Sequence, residues 1–432
     1  MMEQAEHKSS TPEVDKTAGR WRPWLYWGLG SLLYLYAFFQ RVAPSVMVND
    51  LMLAFGIGAA LVGHLSAFYF YAYGVVQIPV GVLVDKLGAR RVLCAAALLC
   101  AVGSLFFAYA SQIVLAYLGR LLIGLGSGVA FVSTLKIISQ WFPVKRFAML
   151  SGLTLMLGML GGIGGQAPLA MLVDRLGWRE TMVWASVFVF VLAVLLMLFV
   201  RDAKTTDVKG EEAHEDGVAP GLKAVIKNHQ ICIIAGVGFF QPAALFAFAS
   251  LWGVPYMAVA YKLSNAEAAG MMSLILLGWA VGAPLQGWVS DHLHLRKIPL
   301  VLSAFTAAAS LAGIIYMPGL PLPVVQVLLV VNGICSSALI LVFALVQENA
   351  HAQSAGTAMG FANMAVILSA AVVQPVVGKI LDINWQGAMS GGVRLYDVVD
   401  YQWALLPVMV MAFLAFVSSL FVRETHCRRF QP

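Results

Sequence analysis

Three basic residues lie inside long apolar segments, where a permanent charge needs a reason. Arg41 stands in the stretch AFFQRVAPS at positions 37–45, and Arg120 and Lys136 share a later segment. A charge at the centre of a membrane helix costs at least ~2.5–3.5 kcal/mol, so it faces a bundle interior or a watery cavity. A guanidinium there binds anionic groups through charge-assisted hydrogen bonds. We therefore predict that Arg41 binds the anionic group of a solute; the alternative is that it reaches the outer headgroups.

The other two basic residues leave their roles open. Arg120 lies seven residues into its segment, where it either contacts the cavity or holds helices together through hydrogen bonds. Lys136 lies on the inner half of the same segment and reaches either the cavity or the cytoplasmic surface. Leu329 and Leu345 stand at the corresponding positions later in the chain, so the buried basic residues are confined to its first half. The second half offers neutral polar groups instead: Gln241, Asn332, Asn363 and Gln374.

Aromatic residues lie at helical spacing from these charges. Tyr34 shares a helix face with Arg41, while Tyr69 and Tyr73 are one turn apart on the next segment. Trp252 and Trp279 are candidates for apolar walls, although packing or an interface belt explains any single aromatic equally well. The predicted substrate-binding set is Arg41, Arg120, Lys136, Tyr34, Tyr69, Tyr73, Gln241, Trp252, Asn332 and Asn363.

A proton-coupled carrier needs a titratable group within the membrane. The middles of the apolar segments contain no Asp or Glu, and His64, one turn into the second segment, is the best candidate. The reference pKa of histidine, about 6.5, suits such a role. A packing or surface histidine is the alternative, and uniport, exchange and Na⁺ coupling also remain open.

The composition places the chain in a lipid bilayer. Of its 432 residues, 60% are hydrophobic and 11% are charged, against about 25% charged in a soluble domain. The apolar runs are continuous rather than alternating, which predicts helices and not barrel strands. We predict an all-α membrane protein with twelve transmembrane helices, at roughly 24–54, 59–84, 91–110, 113–140, 148–172, 181–200, 231–260, 266–289, 299–317, 322–346, 353–381 and 401–422.

The charged stretches divide the chain and orient it. Residues 201–230 are polar and charged, which predicts a linker between two bundles. Most of the 27 lysines and arginines fall on the side of both chain ends, which places the termini in the cytoplasm. The absence of an Asn-x-Ser/Thr sequon favours a bacterial inner membrane. The predicted domains are a tail (1–23), an N-terminal six-helix bundle (24–200), the linker (201–230), a C-terminal six-helix bundle (231–422) and a second tail (423–432).

Other functional classes find little support. The five cysteines have no paired spacing, which argues against disulfides and a metal site. The chain has no nucleophile motif, no phosphate-binding glycine loop and no sizeable soluble domain, so we expect neither an enzyme nor a cofactor. The basic residues follow membrane topology, so nucleic acid is not an expected partner.

The two halves repeat a charged motif. GVLVDKLGARR at 81–91 and GWVSDHLHLRK at 287–297 match at a constant offset, although His294 stands where the first copy has Gly88. Such a parallel repeat places the substrate site near mid-membrane, between the halves. The predicted gating residues are Gly81, Asp85, Gly88, Arg90, Arg91 and Asp291. The alternative is that these charges only set the topology.

These motifs resemble the major facilitator superfamily. GVLVDKLGARR fits its loop motif, GRLLIGLGSG (119–128) resembles its fourth-helix motif, and GMLGGIGGQAP (158–168) resembles its glycine-rich fifth-helix motif. The finer resemblance is to proteobacterial intraphagosomal amino acid transporters and to anion:cation symporters. In the symporters the arginine that matches Arg41 binds the substrate's anionic group.

The resemblance implies a secondary active transporter that works by alternating access. We expect a monomer in the bilayer that imports a small carboxylate-bearing solute, an amino acid or related organic anion, by proton symport. One alternative cargo is a larger anion such as a carboxylate siderophore. Another alternative is export of drugs or metabolites.

Overall fold

Helices form almost all of the part of the chain that the structure describes. The computed structural model describes residues 21–77, 79–202, 225–351 and 355–428. The first half contains α1 (Arg22–Val42), a 3₁₀ turn (Ala43–Val46), α2 (Val48–Phe55), α3 (Ala59–Val76), α4 (Val80–Leu87), α5 (Ala89–Ala108), α6 (Ile113–Trp141), α7 (Val144–Gly164), α8 (Ala167–Leu176) and α9 (Trp178–Phe199).

The second half repeats this pattern and adds a short β-hairpin. It contains α10 (His229–Phe240), a π-helix (Ala244–Trp252), α11 (Gly253–Tyr261), α12 (Asn265–Leu293), α13 (Lys297–Tyr316), α14 (Leu322–Ser336), α15 (Leu339–Asn349), α16 (Ala355–Asn384), α17 (Val398–Ala404) and α18 (Leu406–Leu420). A two-residue antiparallel hairpin, β1 (Met389–Ser390) and β2 (Val393–Arg394), follows α16.

The predicted spans correspond to these helices, with several spans built from two pieces. The predicted 59–84 is α3 followed by α4, and the break coincides with Pro79, whose ring nitrogen has no hydrogen to donate. Within the described ranges, eleven segments are long and apolar enough to cross a membrane. The predicted first span is not among them because Gln40, Arg41 and several tyrosines lower its hydropathy. Its helix α1 has 21 residues, about 31 Å at 1.5 Å per residue.

The helices pack as two six-helix bundles, 21–202 and 225–428, which we call the N-half and the C-half. We call the membrane side at which α1 begins and α18 ends the tail side and the other the far side. The predicted tails and linker lie largely outside the described residues, and the domain boundaries stay predictions.

The two halves meet mainly on the far side. Asn265 Nδ2 donates to the Val46 carbonyl at 2.8 Å, and Tyr71 OH donates to the Ala371 carbonyl at 3.0 Å near mid-membrane. Within the described ranges, the remaining hydrogen bonds between the halves also lie towards the far side. The described hydrogen bonds between the halves are therefore concentrated on the far side and near mid-membrane.

Candidate functional site

Arg41 is buried between the two halves, in the last turn of α1. Only 5% of its surface is exposed, and one of the rings around it, Phe246, comes from the C-half. The guanidinium carbon lies within about 6 Å of several ring centres, the range of cation–π attraction. Those rings are Phe38 at 4.2 Å, Tyr73 at 5.2 Å, Phe246 at 5.5 Å, Phe70 at 5.9 Å and Tyr69 at 6.0 Å.

The end of α1 explains how a cation is tolerated there. The α-helix stops at Val42 and continues as a 3₁₀ turn, so Arg41 lies in the last turn of α1, near the negative end of the helix dipole. This field partly offsets the charge without forming an ion pair. The Nε of Arg41 has no hydrogen-bond partner in the described chain.

Arg120 lies close to Tyr69, one of the rings that form the wall around Arg41. It comes from α6, is 1% exposed, and its Nη1 donates to the Gln40 carbonyl at 2.8 Å. Its guanidinium carbon lies 5.0 Å from the centre of the Tyr69 ring. Its Nε and Nη2 have no partner among the described residues. Both roles considered for Arg120, packing and ligand contact, remain compatible with this geometry.

Hydroxyl groups anchor the aromatic wall to α1. Tyr69 OH donates to the Ala37 carbonyl at 3.0 Å. Gln40 Nε2 donates to Tyr36 OH at 2.7 Å, and that hydroxyl lies 2.6 Å from Ser104 Oγ. Tyr34 packs its ring 5.0 Å from that of Phe38. Among the rings around Arg41, Tyr69 is therefore held by a hydrogen bond as well as by packing.

Two other predicted residues lie away from this wall. Lys136 forms an ion pair with Asp85, with 2.7 Å between Nζ and Oδ1, and is about one third exposed. His64 is exposed on α3, on a face that lies away from the wall around Arg41.

The predicted polar residues of the C-half fall into two groups. Asn332 donates to the Ala307 carbonyl at 2.9 Å, and Trp252 donates to the Gln374 carbonyl at 3.0 Å, so both are tied inside the C-half. Gln241 is buried where α10 ends, and its Oε1 has no partner in the described chain. Asn363 is half-buried on α16.

Sequence reasoning missed the π-helix that carries Phe246. Residues of this wider helix leave carbonyls free, and amide side chains from both halves satisfy them. Gln374 Nε2 donates to the Phe246 carbonyl at 2.6 Å, and Gln166 of the N-half donates to the Ala249 carbonyl at 2.8 Å. The segment that covers Arg41 is thus held from both sides. Pro242, just before it, was the only local signal.

A carboxylate closes the far side, and sequence reasoning also missed it. Asp382, at the end of α16, accepts the backbone N–H groups of Ala59 and Ala60 at 3.0 and 2.9 Å. This is the N-terminus of α3, where a negative charge is stabilised. Arg394 donates to the same carboxylate at 3.0 Å. A Cβ at Gly58 would lie 2.5 Å from it, so only glycine leaves room.

The first copy of the repeated motif lies on the tail side. Arg90 donates its backbone N–H to Asp202 at 3.0 Å and its side chain to the Met197 carbonyl at 2.6 Å. Gly88 has a φ of +83°, and Asp202 fills the space of its missing Cβ. Arg91 is exposed and Gly81 faces open space.

The second copy has more acidic partners. Arg296 contacts Asp291 at 2.6 Å and Glu348 at 3.0 Å. Burial by itself would raise the pKa of the Glu424 carboxyl, yet that pKa lies below its usual range because four backbone N–H groups donate to it. Those donors belong to Arg296, Lys297, Thr425 and His426.

The geometry around Arg41 suits the binding of an anion. Among the described residues, none of the ion pairs found includes Arg41 or Arg120. Their free N–H groups are directed donors, and the surrounding rings exclude water. An anionic ligand would supply the acceptors that the protein itself does not.

Sequence comparison places the chain among transporters. Residues 30–375 match the family model of the Major Facilitator Superfamily. The chain is 25% identical to the probable sulfoacetate transporter SauU of Cupriavidus necator over 62% of this chain, and the match spans 65% of that relative's length. It is 22% identical to the hexuronate transporter of Bacillus subtilis, over 85% of this chain and 90% of the relative. The probable galactarate/D-glucarate transporter GudP of the same organism is 21% identical, over 93% and 95%.

Solved structures share the fold. A bacterial homolog of the human lysosomal transporter Spinster, in an inward-facing and occupied conformation, superposes with a TM-score of 0.76 at 14% identity, covering 93% of this chain and 97% of that one. A D-xylose–proton symporter gives a TM-score of 0.75 at 14% identity, covering 95% and 100%. At these identities the likeness concerns the fold alone.

Proposed function

The chain belongs to the Major Facilitator Superfamily, and from that premise we propose that it imports a small organic anion by alternating access. It is a multi-pass membrane transporter and not an enzyme. The main support for an anionic substrate is the environment of Arg41. This residue is buried between the halves, its Nε has no partner, and it forms no ion pair in the described chain. The names of the relatives, which include sulfoacetate, hexuronate and glucarate transporters, support the same class.

In this proposal Arg41 binds a carboxylate or sulfonate, and the rings around it contact the remainder of the solute. Tyr34, Tyr69 and Tyr73 shape the N-half wall, and Phe246 faces it from the C-half. Gln241, buried where α10 ends, is a further proposed contact. An amino acid carries such a carboxylate and remains one candidate within the class.

Movement of the halves follows from their contacts. The far-side contacts made by Asp382 must break for the site to open there, and the motif residues Asp85, Gly88, Arg90, Arg91 and Asp291 are proposed to act on the tail side. Each of these two groups of contacts stabilises one of two arrangements of the halves. The two arrangements differ in free energy by only a few kcal/mol.

The orientation and the driving ion also belong to the proposal. We place both termini in the cytoplasm of a bacterial inner membrane, on the basis of the lysine and arginine distribution. Proton symport is the proposed coupling, and His64 remains its candidate. Uptake into proteoliposomes with and without an imposed proton gradient tests it.

The central test is uptake of sulfoacetate, hexuronate and D-glucarate into proteoliposomes. We expect R41Q to lower uptake of the transported anion by about 100-fold, because hydrogen bonds to a charged group are worth about 1.5–3 kcal/mol each. R175Q, which changes an exposed arginine at the end of α8, is the matched control and should transport normally. Normal uptake by a correctly folded R41Q protein would refute Arg41 as the site.

A further inference from the structure

The wall that contains Arg41 contains a second unpaired guanidinium. Arg41 and Arg120 are 5% and 1% exposed, and neither forms an ion pair in the described chain. Three of their nitrogens lack an acceptor: Nε of Arg41, and Nε and Nη2 of Arg120. Nitrogens buried without acceptors are costly, so a group that supplies acceptors at both positions is strongly favoured.

The protein compensates these two charges only in part. Arg41 lies in the last turn of α1, near the negative end of its dipole, and the Gln40 carbonyl of the same turn accepts from Arg120. This helix dipole amounts to about half of one elementary charge, which is less than the two positive charges present. The surrounding groups are tyrosines and phenylalanines, and they attract cations without neutralising them. The protein groups around the two guanidiniums therefore leave positive charge that the anionic groups of a ligand can neutralise.

The distance between the two guanidiniums suits a small molecule. Both guanidinium carbons lie within 6.0 Å of the centre of the Tyr69 ring, so they are separated by no more than twice that distance. Each hydrogen bond to an anion takes up about 2.7–2.9 Å of it. This upper limit on the separation is short enough for one small molecule with two anionic groups to reach both guanidiniums.

We propose that the site selects compact dianions, with one anionic group on Arg41 and the other on Arg120. This inference rests on the proposed function and adds the charge of the substrate to it. Arg120 then determines specificity, because a monoanion satisfies Arg41 and leaves the second guanidinium uncompensated. A disubstituted acid such as a sulfocarboxylate or an aldarate has the required chemistry.

The competing view makes Arg120 a purely structural residue. Its Nη1 bond to Gln40 would then stiffen the end of α1, and its loss would weaken all ligands equally. Selectivity between matched ligands separates the two views, whereas overall activity does not.

The experiment compares ligands that differ only in one anionic group. D-glucarate is paired with D-gluconate, and sulfoacetate with isethionate, since a hydroxymethyl replaces a carboxylate in each pair. Binding to the purified full-length protein is measured by calorimetry. In the wild type we expect the dianion of at least one pair to bind at least about tenfold more tightly than its monoanion. R120Q should abolish this preference and leave monoanion binding within about threefold, whereas R120K, which retains the charge, should preserve it.

The outcomes are distinguishable from failure of the proposed function. Equal binding of both members of a pair by the wild type, or an equal loss for both in R120Q, would overturn dianion selectivity and leave anion transport standing. If no anion among the uptake substrates and these pairs binds or is transported, the proposed function itself fails. Should R120Q not fold, as judged by gel filtration, the wild-type comparison together with R120K decides the question.

Discussion

The arginines of the two halves differ in burial and in pairing. In the C-half, Arg296 is paired with Asp291 and Glu348, and Arg394 is paired with Asp382. In the N-half, Arg41 and Arg120 are more deeply buried and have no acidic partner among the described residues. The paired arginines lie near the membrane surfaces and join segments of the fold, while the unpaired ones lie in the wall between the halves.

The difference indicates how burial and pairing together mark a ligand site. A buried charge with a fixed partner contributes to structure, and removing one partner leaves the other uncompensated. A buried charge without a partner is a cost for the fold alone and is compensated when a ligand binds. Three substitutions test this contrast.

The largest expected effect comes from breaking the C-half pair. E348Q removes the buried partner of Arg296, since Glu348 is 8% exposed and also accepts from Thr425. We expect a loss of about 3 kcal/mol in the free energy of unfolding, measured by denaturation in detergent. D291N, which removes the exposed partner of the same arginine, is the control and should cost less than about 1 kcal/mol. Similar losses for both variants would contradict the assignment.

The second effect comes from giving the N-half a partner of its own. Phe38 is three residues before Arg41, and its ring lies 4.2 Å from the guanidinium, so F38E places a carboxylate within reach. An internal anion competes with the ligand, and we expect anion uptake at least about tenfold lower than in F38Q. F38Q has the same shape without the charge and is therefore the control. Equal uptake by the two variants would show that the unpaired charge is not what binds the anion.

The smallest effect concerns the cation of the N-half that does have a partner. Lys136 is about one third exposed and pairs with Asp85. By the rule above it does not bind the substrate, and its exposed pair with the gating residue Asp85 is worth less than about 1 kcal/mol, so K136M should keep uptake within about threefold. An uptake loss comparable to that of R41Q would restore Lys136 as a substrate-binding residue. D85N, measured beside it, shows whether the pair acts as a unit.

The fold could be read largely from local patterns. The predicted segment 113–140 matches α6 almost residue for residue. The predicted segments 91–110 and 181–200 match α5 and α9 with bounds shifted by a few residues. Hydropathy works well here because the bilayer imposes one requirement on every residue of a span. Departures have local causes such as Pro79, which divides the second span.

The site could be read only in part. The cost of a charge in lipid was enough to select Arg41 and Arg120 as buried, and helical spacing selected Tyr69 and Tyr73. Nothing local indicated Phe246, which reaches Arg41 from the other half, or the contact between Asp382 and the start of α3. The finer resemblance to amino acid transporters also stays a prediction, since the relatives named above are anion transporters.

The sequence by itself determined which segments lie in the membrane, that they repeat, and that certain cations must be shielded from lipid. Each of these properties depends on the types of residues that lie close together in the chain. Only the tertiary structure decided which cations have partners: Asp85 meets Lys136 across 51 residues of chain, and Asp382 meets Ala59 across 323. An ion pair depends on a few ångströms between helices that are remote in the chain, and hydropathy and helical spacing do not determine that distance.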